Sequence, residues 1–169
     1  MKSVNIIVLI SLSALVNSCN LNNEKRDILR TLSGNSKSYS LHCEIIYRKE
    51  VLVFCLTSYN HKEKETSCET LYKKNQGYYS KFDILGKDAK KYSYNLILST
   101  VKDTSYSFQQ LTNEFTCKIE KVNDSLFKST VRLKGMSNFE QTIFYDEDYK
   151  ILRMERVLNG KKFNFARVN

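Results

Sequence analysis

From Tyr92 to the C terminus the chain is a run of short alternating segments joined by very short links. The segments are Tyr92 to Val101, Ser105 to Leu111, Phe115 to Val122, Leu126 to Lys134, Phe139 to Tyr145, Tyr149 to Leu158 and Lys161 to Val168. Between them stand Asp103-Thr104, Asn123-Asp124, Gly135 to Asn138, Asp146 to Asp148 and Asn159-Gly160. A parallel crossover needs about a dozen residues or more, so these links force neighbouring strands to run antiparallel. Asn159-Gly160 carries the sharpest local signal, because a two-residue type I′ turn requires positive φ at both positions. It sets Leu158 against Lys161, Arg156 against Phe163 and Met154 against Phe165, and places Leu152, Met154, Phe163 and Phe165 on one core face.

The same alternation marks Ser38 to Arg48 and Val51 to Ser58. The expected fold is mainly β, an antiparallel meander of about nine strands forming a curved sheet or a partly open barrel. Tyr92 to Val101 and Ser105 to Leu111 are expected to pair with each other. One or two short helices complete it. The first starts near Asn23, carries Ile28, Leu29 and Leu32 on one side and stops at Gly34; the second covers Ser67 to Lys74. Residues 60–91, with Gly77 and Gly86, read as an irregular segment over one mouth of the barrel. Proline is absent, so every turn must use Gly, Asn, Asp or Ser chemistry.

The N terminus has a different character. Met1-Lys2-Ser3 precedes an apolar run from Val4 to Val16, and Asn17-Ser18 leads to Cys19. That run is shorter than the ~20 residues a transmembrane helix needs and has the form of a removable signal peptide. Leu15-Val16-Asn17-Ser18-Cys19 resembles the lipobox of bacterial lipoprotein precursors, with an aliphatic residue three places before the cysteine and a small residue directly before it. The resemblance covers the leader alone. It implies that Cys19 is lipidated, becomes the first residue of the mature chain, and holds the protein to a membrane of the cell envelope, on its periplasmic face or at the cell surface. Val16 and Ser18 also suit ordinary signal peptidase, so simple secretion is the alternative. The division expected is a signal peptide (1–18), a lipidated tether (19–27) and one β-rich domain (28–169), whose length suffices for a core without disulfides.

Four further cysteines, Cys43, Cys55, Cys68 and Cys117, are plausible disulfide partners in an exported chain. A three-residue hairpin loop at Arg48-Lys49-Glu50 would set Cys43 opposite Cys55 and leave Cys68 for Cys117. Four buried thiols are the other reading.

Catalytic signals are lacking. The two histidines, His42 and His61, fall on or beside strands, the five glycines make no phosphate loop, and the cysteine spacings do not form a zinc site. Asp146-Glu147-Asp148 lacks the spaced ligands of a calcium loop and reads as a solvated turn. No enzyme activity, metal or cofactor is expected. The net charge of +9 reads as a lysine-rich wetted surface, and nucleic acid is not an expected partner. Eleven Tyr and nine Phe are more informative. Tyr39, Tyr47, Tyr92, Tyr94, Tyr106 and Phe108 lie at alternating strand positions and could line a site for an apolar ligand. The expectation is a non-enzymatic, membrane-anchored envelope protein that binds a lipid-like ligand or an envelope partner. The competing expectation is a secreted, disulfide-linked eukaryotic β-domain acting on an extracellular partner, in which Asn123-Asp124-Ser125 would be a glycosylation sequon.

Overall fold

The computed structural model describes residues 24–31, 39–60, 63–83, 92–110, 112–135, 139–158 and 160–167. The expected signal peptide (1–18), Cys19, Gly34, His61 and Gly86 lie outside the described residues, as do the side chains of Tyr39 and Tyr92. The described residues form twelve β-strands and no helix: β1 (Lys25–Thr31), β2 (Tyr39–Tyr47), β3 (Val51–Asn60), β4 (Glu63–Lys74), β5 (Gly77–Asp83), β6 (Tyr92–Leu98), β7 (Thr104–Gln110), β8 (Asn113–Asn123), β9 (Leu126–Leu133), β10 (Phe139–Tyr145), β11 (Ile151–Leu158) and β12 (Lys161–Arg167). All neighbours are antiparallel, in one nearly closed, barrel-like sheet ordered β6-β5-β4-β3-β2-β1-β12-β11-β10-β9-β8-β7.

The mainly β, antiparallel meander holds, with twelve strands where nine were expected. The three extra strands occupy both expected helices and the segment 60–91. β1 replaces the first helix and begins at Lys25, inside the stretch assigned to the tether; Leu29 faces Cys43 of β2 on one side and Arg167 of β12 on the other. β4 replaces the second helix and pairs with β3 from Glu63 to Tyr72. β5 continues the sheet, so this region is wall and not a cover over the mouth. Short helices are marginal without tertiary support, and two rows of ladder hydrogen bonds outweigh their propensity.

The expected pairing of Tyr92 to Val101 with Ser105 to Leu111 does not form. β6 pairs with β5 and β7 with β8, so these consecutive strands are the two edges of the sheet. β6 instead lies against β8 and β9. Side chains of the other wall satisfy its backbone: Tyr106 donates to the Leu96 carbonyl, and Ser129 Oγ donates to that of Ile97 at 2.5 Å. Tyr145 Oη donates to the Ser99 carbonyl at 2.7 Å and accepts from the Ser99 N–H at 3.0 Å. An edge strand's open polar groups are thereby paired without a ladder.

The β11–β12 hairpin has the expected register, with Leu158 against Lys161, Arg156 against Phe163 and Met154 against Phe165. Leu152 departs from its expected core face. The register of β10 with β11 shifts between Phe144 and Tyr145, which turns Ile151 inward and leaves Leu152 exposed.

The two faces differ sharply. Outward positions carry cross-strand ion pairs such as Arg132–Glu140 (2.6 Å), Lys128–Glu120 (3.2 Å) and Lys162–Glu155 (2.9 Å). Inward positions carry Leu29, Ile45, Leu52, Leu71, Ile119, Ile143, Met154 and Phe165, all almost fully buried. A transmembrane barrel has the reverse arrangement, apolar outside and polar within. At the end bearing the β10–β11 turn, Phe127, Tyr145, Tyr149 and Tyr78 form a train of ring contacts 5.1–5.9 Å apart that fills the interior.

The cysteine pairing is corrected. Cys55 bonds Cys68 across β3 and β4, and Cys43 and Cys117 are buried free thiols. The β2–β3 turn is offset by one residue from the expected one, pairing Tyr47 with Leu52 and Cys43 with Leu56. A one-residue slip sends alternate side chains to opposite faces, so Cys43 points inward while Cys55 faces outward beside Cys68. Cys55 and Cys68 are directly opposed, with Cα atoms 4.1 Å apart.

Candidate functional site

At the end of the barrel away from the tyrosine train, the interior is hollow. A cavity of about 680 Å³ lies between the final residues of β7, β9 and β11, the first residues of β8 and β10, and the middle of β4 and β5. This is within the ~300–1,000 Å³ range of small-molecule sites. Its lining is two-sided. Phe108, Phe115, Val131, Leu133, Phe139 and Leu158 make an apolar stretch on β7 to β11, interrupted by Gln110, Asn113, Gln141 and Arg156, whereas the lining from β4 and β5 is mostly polar, with Ser67, Glu69, Ser80 and Lys81. Within the apolar wall, the Phe108 and Phe115 rings stack at 5.5 Å and Phe115 meets Phe139 edge-on at 5.9 Å.

Period-two alternation puts the inward residues of β11 there. Met154, Arg156 and Leu158 project inward from β11; Met154 joins the solid core, Leu158 the rim, and Arg156 stands between them. On β4, Leu71 belongs to the core, and Glu69, two residues earlier, reaches the cavity. Gln141 lies directly across from Arg156 on β10. Arg156 and Glu69 therefore stand at the floor, where the packed core gives way to open space.

These two charges border one space without being in contact. Arg156 makes no ion pair with a described carboxylate, and its Nε is buried with no hydrogen-bond partner. Burial lowers its affinity for the proton, while the field of Glu69 opposes that shift. Burial raises the Glu69 carboxyl above its usual range, and Arg156 pulls it back in part. Glu69 is nevertheless exposed in surface area; the surface it exposes faces the cavity, with protein around that. A second recess of about 40 Å³ adjoins the pair, bounded also by Gln141, Ser67 and Cys43. A single water needs about 10–15 Å³, so the recess has room for a small polar group.

Of the six aromatic residues singled out from the sequence, Phe108 lines the cavity. Tyr106 packs beside it, 5.9 Å between rings, with its hydroxyl committed to Leu96. Tyr47 is at the packed end and accepts a hydrogen bond from the Ile151 N–H at 2.9 Å. Tyr94 is on the outside under the ammonium of Lys74, 3.0 Å from its ring centroid. Glu69, Gln141 and Arg156 were not singled out. The signal for Arg156 was present, a charge in step with inward Met154 and Leu158; Glu69 was hidden by the helical reading of its segment.

The interior offers little to covalent catalysis. Burial pushes the Cys43 thiol up to about 12 and that of Cys117 to about 11, so neither is a thiolate at neutral pH. His42 packs against Tyr59, with ring centroids 5.2 Å apart and the rings tilted, on β2 and β3 away from the cavity lining. The Asp146 carboxylate is occupied by turn formation, accepting from the N–H groups of Asp148 (3.0 Å) and Lys150 (2.8 Å).

No protein-family profile matches the chain, and no curated protein or solved structure matches it.

Proposed function

We propose that the chain is a non-enzymatic lipoprotein of the cell envelope, held to its membrane through Cys19, whose barrel interior binds a lipid-like amphiphile. The observation that carries this reading is the cavity of about 680 Å³ with an aromatic wall opposite a polar one. A ligand that is apolar along one side and polar along the other matches that division, and water alone leaves the aromatic wall wet. The charged outer face favours a sheet that stands in water beside the membrane, with the acyl chains on Cys19 as its anchor. Each buried CH₂ of those chains contributes about 0.8 kcal/mol, so an anchor of more than one chain does not exchange. The Cys55–Cys68 disulfide suits an exported protein.

One observation favours the alternative of a secreted eukaryotic domain. Asn123 is exposed at the β8–β9 turn, and its Oδ1 is engaged by the Ser125 N–H at 3.1 Å, which leaves the amide nitrogen outward.

Native mass spectrometry of the full chain purified from its own cells tests both parts. Acylated Cys19 and a co-purifying amphiphile are expected, and Cys19→Ser is expected to move the protein from the membrane to the soluble fraction. An unmodified Cys19 removes the anchor, and a glycan on Asn123 replaces this reading with the secreted one. An interior that takes up no amphiphile removes the ligand.

A further inference from the structure

The floor of the cavity holds an acid and a base that share one space without touching. Arg156 and Glu69 border both the main cavity and the 40 Å³ recess, and Arg156 Nε lacks any partner. A buried donor left unsatisfied is costly, and the Glu69 carboxylate faces the same space as that donor. A pair meant only to stabilise the barrel gains most by closing into a bidentate contact. This pair instead stands apart, with Gln141 and Ser67 beside the gap.

The chemistry that fills such a gap is restricted. A purely anionic head gains Arg156 and is repelled by Glu69, and a purely cationic head meets the reverse. An uncharged head leaves both charges incompletely solvated. A head with an anionic oxygen and an ammonium on a short link satisfies both at once and leaves the net charge of the floor unchanged. We infer that Glu69 and Arg156 form a head-group subsite for a zwitterionic amphiphile. The guanidinium takes the anionic oxygen, the carboxylate takes the ammonium, and the apolar body lies along Phe108, Phe115 and Phe139. The inference rests on the reading of the barrel as a container for an amphiphile and adds the class of head that it selects.

The test is competition for the full chain loaded with N-phenyl-1-naphthylamine, an uncharged fluorescent probe of apolar cavities. Four competitors share one hydrocarbon chain length and differ in the head: lysophosphatidylethanolamine (zwitterionic), lysophosphatidylglycerol (anionic), an alkylammonium (cationic) and a monoacylglycerol (uncharged). The zwitterion is expected to bind about tenfold or more tighter than the other three, the usual gain from charge-assisted hydrogen bonds. Arg156→Gln is expected to remove that advantage, and Glu69→Gln to shift the preference toward the anionic head, while both variants still bind the probe. If all four heads compete equally, or if a singly charged head wins, the subsite is overturned and the container stands, with water bridging the two charges. If neither probe nor any competitor binds, the container reading fails and the inference fails with it. Should a variant lose the probe through misfolding, the ranking on the unaltered chain still decides.

Discussion

Glu69 and Arg156 illustrate how much a side chain's neighbours change what it is. Glu69 exposes its surface to the barrel cavity, where the surrounding protein disfavours its ionised form and Arg156 offsets that only in part. A carboxyl raised in the folded state contributes stability that is complete below its unfolded value, about 4.3, and is lost as pH rises through its folded value. Glu69→Gln is therefore expected to melt at a higher temperature than the unaltered chain at pH 7, with the two converging as pH falls into the ordinary carboxylate range. Thermal melts across that pH series check this. A variant less stable at neutral pH would show that attraction to Arg156 outweighs desolvation. Arg156 was legible from the Asn159-Gly160 register, which places it in step with Met154 and Leu158. Its consequence was not, because the partner charge stands on β4, far away in sequence.

Among the strands, β4 and β5 show where local signals fail. The charged stretch of β4 has no clean alternation, and its first seven residues are all exposed. It is a strand because β3 templates it from Glu63 to Tyr72 and Cys55 bonds Cys68. A bridge over a span of 13 residues contributes about 3 kcal/mol in the chain-entropy model. β5 begins at Gly77, whose φ of 143° lies in glycine territory and where a Cβ would fall on the Leu98 carbonyl oxygen. Gly77→Ala is expected to destabilise the protein by about 2–4 kcal/mol, combining backbone strain with overpacking. Urea unfolding measures it, and a change under about 1 kcal/mol would mean that β6 gives way easily. The cysteines teach the same lesson about register. One residue more or less in the β2–β3 turn decides whether Cys43 meets Cys55 or a leucine, and neither residue carries a mark of that choice.

Across the molecule, the first and last described strands meet in the sheet while the middle strands supply its edges. β1 and β12 pair, so a meander running from β7 to β12 continues from β1 to β6. Closure between β6 and β7 rests on side chains, chiefly Tyr106, Ser129 and Tyr145. Tyr145 is fully buried and holds both the N–H and the carbonyl of Ser99, and burial raises its phenol. Tyr145→Phe leaves those two backbone groups unpaired and is expected to cost about 1–3 kcal/mol. Hydrogen exchange should quicken first at Ser99 and β6; uniform loss of protection over all strands would instead place the effect in the core. This lateral seam borders the wall that carries Phe108 and Phe115, which links closure of the barrel to the shape of its cavity.

Alternation and short turns were enough to establish an antiparallel meander, the register of its last hairpin and the inward side of β11, because these depend on residues close together along the chain. The number of strands, the separation of β6 from β7, the Cys55–Cys68 bond and the placing of Glu69 and Arg156 on one cavity depend on which distant segments become neighbours. Burial energy is shared over all twelve strands at once, so the closed sheet selects those partners and no single stretch of sequence encodes them.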